Sequence, residues 1–215
     1  LEKLVEQEPL NIRVATMAAY VSKKENINNI YPFCKDPLNC VFIKNLKNEL
    51  TSANAFSENL LKTLGAMPAM WEPSSKSTIG GYHTSAQLFE RTDAEILVLR
   101  ELIEKQIIIY KETYKSREDY FITKWPLKSK IAGWHVKLIK QGYQKSHIHP
   151  AGWLSGVFYL KVPKFLDKNE GSIKLTLYGY DYPEDKNFPY LIYQPKEFDI
   201  ALFPSSLFHQ TIPFS

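Results

Sequence analysis

The chain has 215 residues, of which 44% are apolar and 23% are charged, a balance typical of one folded globular domain. Its aromatic content of 13% argues against disorder, and no apolar stretch approaches the roughly eighteen residues of a membrane span. Because the start of the chain has no secretory apolar region, we expect a cytoplasmic protein with no membrane partner. The chain begins at Leu1 and ends within an apolar run at Ser215, which leaves open that it is a fragment.

The net charge of +4 comes from 23 lysines and only four arginines. The arginines are Arg13, Arg91, Arg100 and Arg117, so the last 98 residues contain none. Arginine usually supplies the bidentate contacts that recognise phosphate and guanine. We therefore expect no nucleic-acid partner. The two cysteines, Cys34 and Cys40, have no second Cys or His pair nearby, and we interpret them as buried small hydrophobic residues without a disulfide or a zinc ion.

Residues 1–50 predict a helical N-terminal segment. Val14, Met17, Ala18 and Val21 fall at helical spacing, and the pattern is weakly similar to the last helices of a tetratricopeptide array. Residues 1–50 contain only one partial copy of this pattern, which is too little to establish a sequence repeat. We expect any contact with a partner protein to be made through these helices.

Residues 51–215 are expected to form the main domain, with its helices first. A short helix is predicted over residues 52–64 and a long one over residues 93–114, capped by Thr92 or Asp93. Between them, residues 70–89 are rich in Pro, Ser and Gly and predict a loop. We expect this loop to flank a binding site, with Trp71 or Tyr82 offering a stacking surface.

After residue 126 the apolar period changes to two. Short segments rich in β-branched and aromatic residues predict strands, at residues 133–140, 153–162, 172–180, 190–193 and 197–203. No helix is predicted between them, which favours an antiparallel sandwich or barrel. The predicted fold class is therefore α+β, with N-terminal helices followed by an all-β core.

Three of the five histidines predict a metal site. His147 and His149 are two residues apart, and in an extended segment such residues point to the same side. His209 lies at the end of a later strand, so a barrel mouth could gather all three around one ion. The alternative is that His147 and His149 bind no metal, since two histidines at this spacing are common in proteins. His83 and His135 are interpreted as surface or core residues.

The surrounding motifs carry a family resemblance. The segments HIHPAGWLSGVFYLKVP and DIALFPSSLFHQTIPF, with an upstream GGYHT, together resemble the iron(II)- and 2-oxoglutarate-dependent oxygenases. They are most similar to a bacterial and phage group that often follows tetratricopeptide repeats. The resemblance covers about residues 70–215 and implies a double-stranded β-helix, the jelly-roll barrel of that superfamily.

The resemblance also implies residue roles. His147 and His209 match the first and the distal metal ligand at the catalytic centre. His149 stands where most of the superfamily has a carboxylate, and it either ligates the metal as well or leaves that position to water or another acid. Tyr159 and Ser155 match positions that bind 2-oxoglutarate. The implied cofactor is iron(II), with 2-oxoglutarate as cosubstrate and an unknown small molecule or protein as substrate.

One departure concerns the cosubstrate. The family pairs the far carboxylate of 2-oxoglutarate with an Arg or a Lys on the strand after the distal histidine, and the chain ends six residues after His209. Either that strand lies outside this sequence or another cation serves, with Lys137 and Lys161 as the candidates. Two alternatives stay open: a cupin-like metal enzyme that does not use 2-oxoglutarate, and a non-enzymatic binding module on a degenerate barrel.

Overall fold

The computed structural model describes residues 2–163 and 168–215. The helices of these residues are α1 (Glu2–Gln7), α2 (Ile12–Lys24), α3 (Ala53–Gly65), α4 (Ala94–Thr113) and α5 (Tyr120–Thr123). The strands are β1 (Phe42–Asn45), β2 (Ala69–Trp71), β3 (Thr78–Thr84), β4 (Val136–Gln144), β5 (Leu154–Phe158), β6 (Ile173–Thr176), β7 (Tyr190–Tyr193), β8 (Asp199–Pro204) and β9 (Phe208–Thr211). None of the described helices is long and apolar enough to span a membrane.

The strands form three antiparallel sheets of three strands each, in the orders β1-β8-β5, β2-β3-β4 and β7-β6-β9. This mixture of helices and antiparallel sheets confirms the predicted α+β composition. Residues 70–89, predicted as a loop, contain β2 and β3 instead. In the sequence, Gly80 resembles a turn residue. In the structure it has a φ of +61° and lies against Gly142. A Cβ atom at this position would come within 2.8 Å of the Gly142 Cα atom, so glycine is required here. The glycine therefore belongs to an irregularity between β3 and β4.

The N-terminal segment lies against the rest of the chain. Helix α2 begins at Ile12 because the Asn11 side chain accepts hydrogen bonds from the backbone N–H groups of Arg13 and Val14. Its buried face joins the same apolar cluster as Ile200 of β8, and β1 pairs with β8. A domain boundary at residue 50 stays a prediction.

Strand β8 runs through the centre of the β region, and every one of its residues is buried. Ile200 and Leu202 point to one face, where they pack with the helices. Phe203 points to the other face, where it packs with Leu175 of β6 and with Leu207. The two faces separate a helix-covered core from a second core enclosed between two sheets.

Cys34 and Cys40 are both buried, as predicted, and their sulfur atoms lie 3.8 Å apart.

Replacing Leu175 by alanine should destabilise the protein, because this side chain on the central strand β6 is fully buried in the core that contains Phe203 and Leu207. We expect the free energy of unfolding to fall by about 2–5 kcal/mol in urea titrations. Leu127→Ala is the matched control, since Leu127 is fully exposed and its loss should change stability by less than about 0.5 kcal/mol. Equal effects of the two substitutions would contradict this description of the core.

Candidate metal centre

A backbone pairing places two of the histidines side by side. His147 and His209 form an isolated antiparallel bridge, in which the His147 N–H donates to the His209 carbonyl at 3.1 Å and the His209 N–H donates to the His147 carbonyl at 3.0 Å. Residues directly opposite each other in such a pair have their side chains on the same face. The two imidazole rings accordingly lie with their centroids 4.2 Å apart.

His149 joins them from two residues further along the same extended segment. Its N–H donates to the Ser205 carbonyl at 3.2 Å, and its own carbonyl accepts from Gly152 at 2.9 Å. Its ring centroid is 5.0 Å from the ring centroid of His147 and 5.0 Å from that of His209. The spacing of two residues therefore gives the shared orientation that the sequence predicts.

The three rings can offer one nitrogen each to a single ion, since these atoms all lie within 4.8 Å of one another. Two nitrogens at about 2.1 Å from one ion are at most about 4.2 Å apart, so small rotations of the rings complete such a site. His209 is buried, whereas His147 and His149 are partly exposed. The cluster is therefore open on one side, as a site that binds ligands must be.

Hydrogen bonds to backbone carbonyls fix the tautomer of two rings. The His147 Nδ1 atom lies 2.7 Å from the Lys145 carbonyl, and the His209 Nδ1 atom lies 3.2 Å from the Leu207 carbonyl. Because a carbonyl only accepts, each Nδ1 carries the proton and each Nε2 keeps its lone pair. Ser77 Oγ lies 3.4 Å from the His147 Nε2 atom, but its proton is donated to Gln144 Oε1 at 2.6 Å.

Burial keeps the imidazoles neutral. It lowers the pKa of His147, and burial together with the neighbouring His147 and Lys76 charges lowers the pKa of His149 to about 4. Burial and the other two histidines lower the pKa of His209 well below its usual range. Neutral imidazole is the form that ligates a metal. The donor set therefore fits a divalent transition metal such as iron(II).

The structure places Ser155 close to the cluster and Tyr159 further away. Ser155 Oγ lies 2.7 Å from Ser205 Oγ, and Ser205 is the residue whose carbonyl holds His149. Tyr159 follows the end of β5, four residues or about 13 Å further along the strand. Burial, followed by the charges of Asp199 and Tyr193, raises the pKa of the Tyr159 hydroxyl, so this group stays a proton donor.

The far end of this interior face carries a buried carboxylate. Asp199 is 1% exposed and accepts hydrogen bonds from the Tyr193 hydroxyl at 2.6 Å, the Asn45 amide at 2.8 Å and the Lys196 N–H at 2.6 Å. Of the two lysines considered as partners for the far carboxylate of 2-oxoglutarate, Lys161 pairs with Glu197 at 3.2 Å. The other, Lys137, is exposed on β4 opposite Tyr82.

Sequence reasoning missed two residues beside the cluster, Trp134 and Lys76. The Trp134 ring centroid is 5.5 Å from that of His149 and 5.5 Å from that of the buried His83. The Lys76 Nζ atom lies 6.0 Å from the centroid of the Trp134 ring. For Lys76, the signal in the sequence was that residues 70–89 form a segment expected to flank a site, whereas Trp134 lies in a predicted strand. Trp71 and Tyr82 pair with each other instead, with centroids 5.1 Å apart.

Comparisons with known proteins concern the family and the fold. Residues 132–215, which include the three histidines, match the model of a family described as "Putative 2OG-Fe(II) oxygenase". A search of curated protein sequences gives no match. A solved structure of a Pseudomonas putida prolyl-4-hydroxylase is similar with a TM-score of 0.54 and 11% sequence identity, over 83% of this chain and 88% of that chain. At that identity the similarity shows the fold. The family match supports an oxygenase, and the histidine cluster fits iron binding.

Removing the ligands should remove the metal. We expect the double variant His147→Ala/His209→Ala to retain no bound iron(II) or manganese(II) in metal analysis after dialysis, because only one imidazole is left. His149→Ala should weaken binding by at least about tenfold. His135→Ala is the control and should bind metal as the unmodified protein does. Unchanged metal content in the double variant would exclude this centre.

The metal-free protein should lose stability in acid. Since the folded pKa of His149 is about 4 and the unfolded value is about 6.5, the unfolded chain binds more protons between these pH values. The stability present above about pH 6.5 is therefore lost as the pH falls towards about 4. Urea unfolding at a series of pH values should show this slope, reduced in His149→Gln. Equal slopes in the two proteins would be the contrary result.

Proposed function

We propose that the protein is an iron(II)- and 2-oxoglutarate-dependent oxygenase that hydroxylates a substrate, and that its antiparallel sheets form a double-stranded β-helix. The observation that carries this proposal is the three-histidine cluster, built by two separate segments that both lie within the stretch matching the oxygenase family. The overall similarity to a prolyl-4-hydroxylase structure supports the fold.

His147, His149 and His209 would hold the metal. Three neutral imidazoles would leave further coordination positions of the metal for other ligands. Iron(II), together with 2-oxoglutarate and dioxygen, supplies the oxidising chemistry that hydroxylates a C–H bond while succinate and carbon dioxide are released. The chain supplies the orientation of the ligands through the carbonyls of Lys145 and Leu207.

Ser155 and Tyr159 would line the cosubstrate pocket. Side chains alternate between the two faces along β5 and its extension, so Ser155 and Tyr159 lie on the same face. Ser155 is paired with Phe203 of β8, and this face is therefore the one that carries the Phe203 ring. The Phe203 ring contacts His209, with centroids 4.7 Å apart. The protonated Tyr159 hydroxyl can donate a hydrogen bond to the far carboxylate of 2-oxoglutarate. The charge of the nearby Asp199 opposes a second carboxylate there, so the Tyr159 hydroxyl and further cations must offset it.

A second candidate is a cupin-like metal enzyme that does not use 2-oxoglutarate. The replacement of the usual carboxylate ligand by His149 and the buried carboxylate of Asp199 beside Tyr159 favour it. The substrate of either enzyme is an unidentified small molecule or protein. A protein substrate or partner would contact the N-terminal helices.

The two candidates differ in what they do to 2-oxoglutarate. Under the proposed function, the iron(II)-loaded protein converts 2-oxoglutarate to succinate, and Tyr159→Phe raises the KM for 2-oxoglutarate about tenfold because a charge-assisted hydrogen bond is lost. Tyr178→Phe is the control, since that hydroxyl lies on the outside with Lys174 and Glu184. Succinate is quantified by chromatography with and without iron(II). An iron-loaded protein that forms no succinate would favour the second candidate.

A further inference from the structure

The connection between β2 and β3 lies at the open side of the histidine cluster. Ser77 Oγ is 3.4 Å from the His147 Nε2 atom, and the Ser77 carbonyl accepts a hydrogen bond from the Lys145 N–H at 2.8 Å. A turn closed by the Lys76 N–H and the Pro73 carbonyl, 2.9 Å apart, precedes it. The connection is therefore attached beside the metal ligands, and Lys76 is the residue next to this attachment.

The Trp134 ring lies between Lys76 and His149. Its ring is tilted against His149 with centroids 5.5 Å apart, and the Lys76 ammonium lies 6.0 Å from its centroid, at the outer limit of a cation–π contact. The Lys76 side chain is exposed. Among residues 2–163 and 168–215, none of the ion pairs includes Lys76. The nearby Glu72 carboxylate instead accepts the Gly80 N–H at 2.5 Å.

The net charge of the proposed centre would not repel an anion at this place. Three neutral imidazoles add no charge, so the two positive charges of iron(II) and the two negative charges of 2-oxoglutarate cancel. A carboxylate ligand in place of His149 would leave one negative charge and repel an approaching anion.

We propose that Lys76 and Trp134 form a subsite for the carboxylate end of the substrate. The ammonium binds the carboxylate, and the Trp134 ring packs against the adjoining apolar part of the molecule, which leads towards the three histidines. This inference rests on the proposed function for the statement that the bound molecule is a substrate. The binding itself depends only on the positions of Lys76 and Trp134.

Two small probes of similar shape, one with a carboxylate and one with a neutral carboxamide, test the subsite. Phenylacetate and phenylacetamide are titrated into the metal-free protein, and their affinities are measured by ligand-observed NMR. We expect phenylacetate to bind at least about fivefold more tightly, with this preference reduced below about twofold in Lys76→Gln and kept in Lys76→Arg. Lys137→Gln is the matched control, because Lys137 is also exposed but lies on the outer face of β4.

Trp134→Leu should weaken the binding of both probes and leave their ratio unchanged. The proposal is overturned if the unmodified protein binds the two probes equally well. It is overturned as well if neither probe binds at millimolar concentrations. It is also overturned if the preference survives in Lys76→Gln. Because no metal or 2-oxoglutarate is present, failure of the oxygenase function would leave this result unaffected.

A parallel titration separates substrate from cosubstrate. In the manganese(II)-loaded protein, the affinity for 2-oxoglutarate should be the same with Lys76→Gln as without it. A loss of 2-oxoglutarate affinity as large as the loss for phenylacetate would assign Lys76 to the cosubstrate and overturn its role in substrate binding.

Discussion

The reciprocal backbone hydrogen bonds between His147 and His209 are the interaction on which the candidate site depends. They join a segment after β4 to the strand β9, which are far apart in the sequence, and they set both side chains on one face. Strand β6, which pairs with β9, holds His209 in place, and Ser205, directly after the buried strand β8, holds His149. The ligands are thus oriented by the sheets before any metal binds, which limits the reorganisation that binding requires.

Two opposite charges flank the neutral histidine cluster. Around the histidines, burial disfavours protonation and leaves neutral ligands without a carboxylate among them. At the far end of the same interior face, Asp199 is buried and fully engaged in hydrogen bonds. At the open side, Lys76 supplies a positive charge. The protein therefore has a neutral set of ligands between a buried anion, Asp199, and an exposed cation, Lys76. A site with a cation at its inner end and a carboxylate among its metal ligands would have the opposite distribution of charge.

Much of the metal centre was predictable because it depends on local geometry and on spaced motifs. The two-residue spacing of His147 and His149 requires only an extended backbone, and the structure brings His209 to them. Strands β2 and β3 were not predictable, since Gly80 resembles a turn residue and becomes part of a strand only through its contact with Gly142. Lys76 and Trp134 were missed for a related reason: they meet only when a connection between strands folds over the cluster, and no periodicity encodes that contact.

X-ray absorption of the iron(II)-loaded protein tests the central claim most directly, because it counts the imidazoles bound to the metal. The account predicts three imidazole ligands, with one fewer in His149→Ala, since the three rings converge within reach of a single ion. Two imidazoles in the unmodified protein, with no change in His149→Ala, would contradict the three-histidine centre.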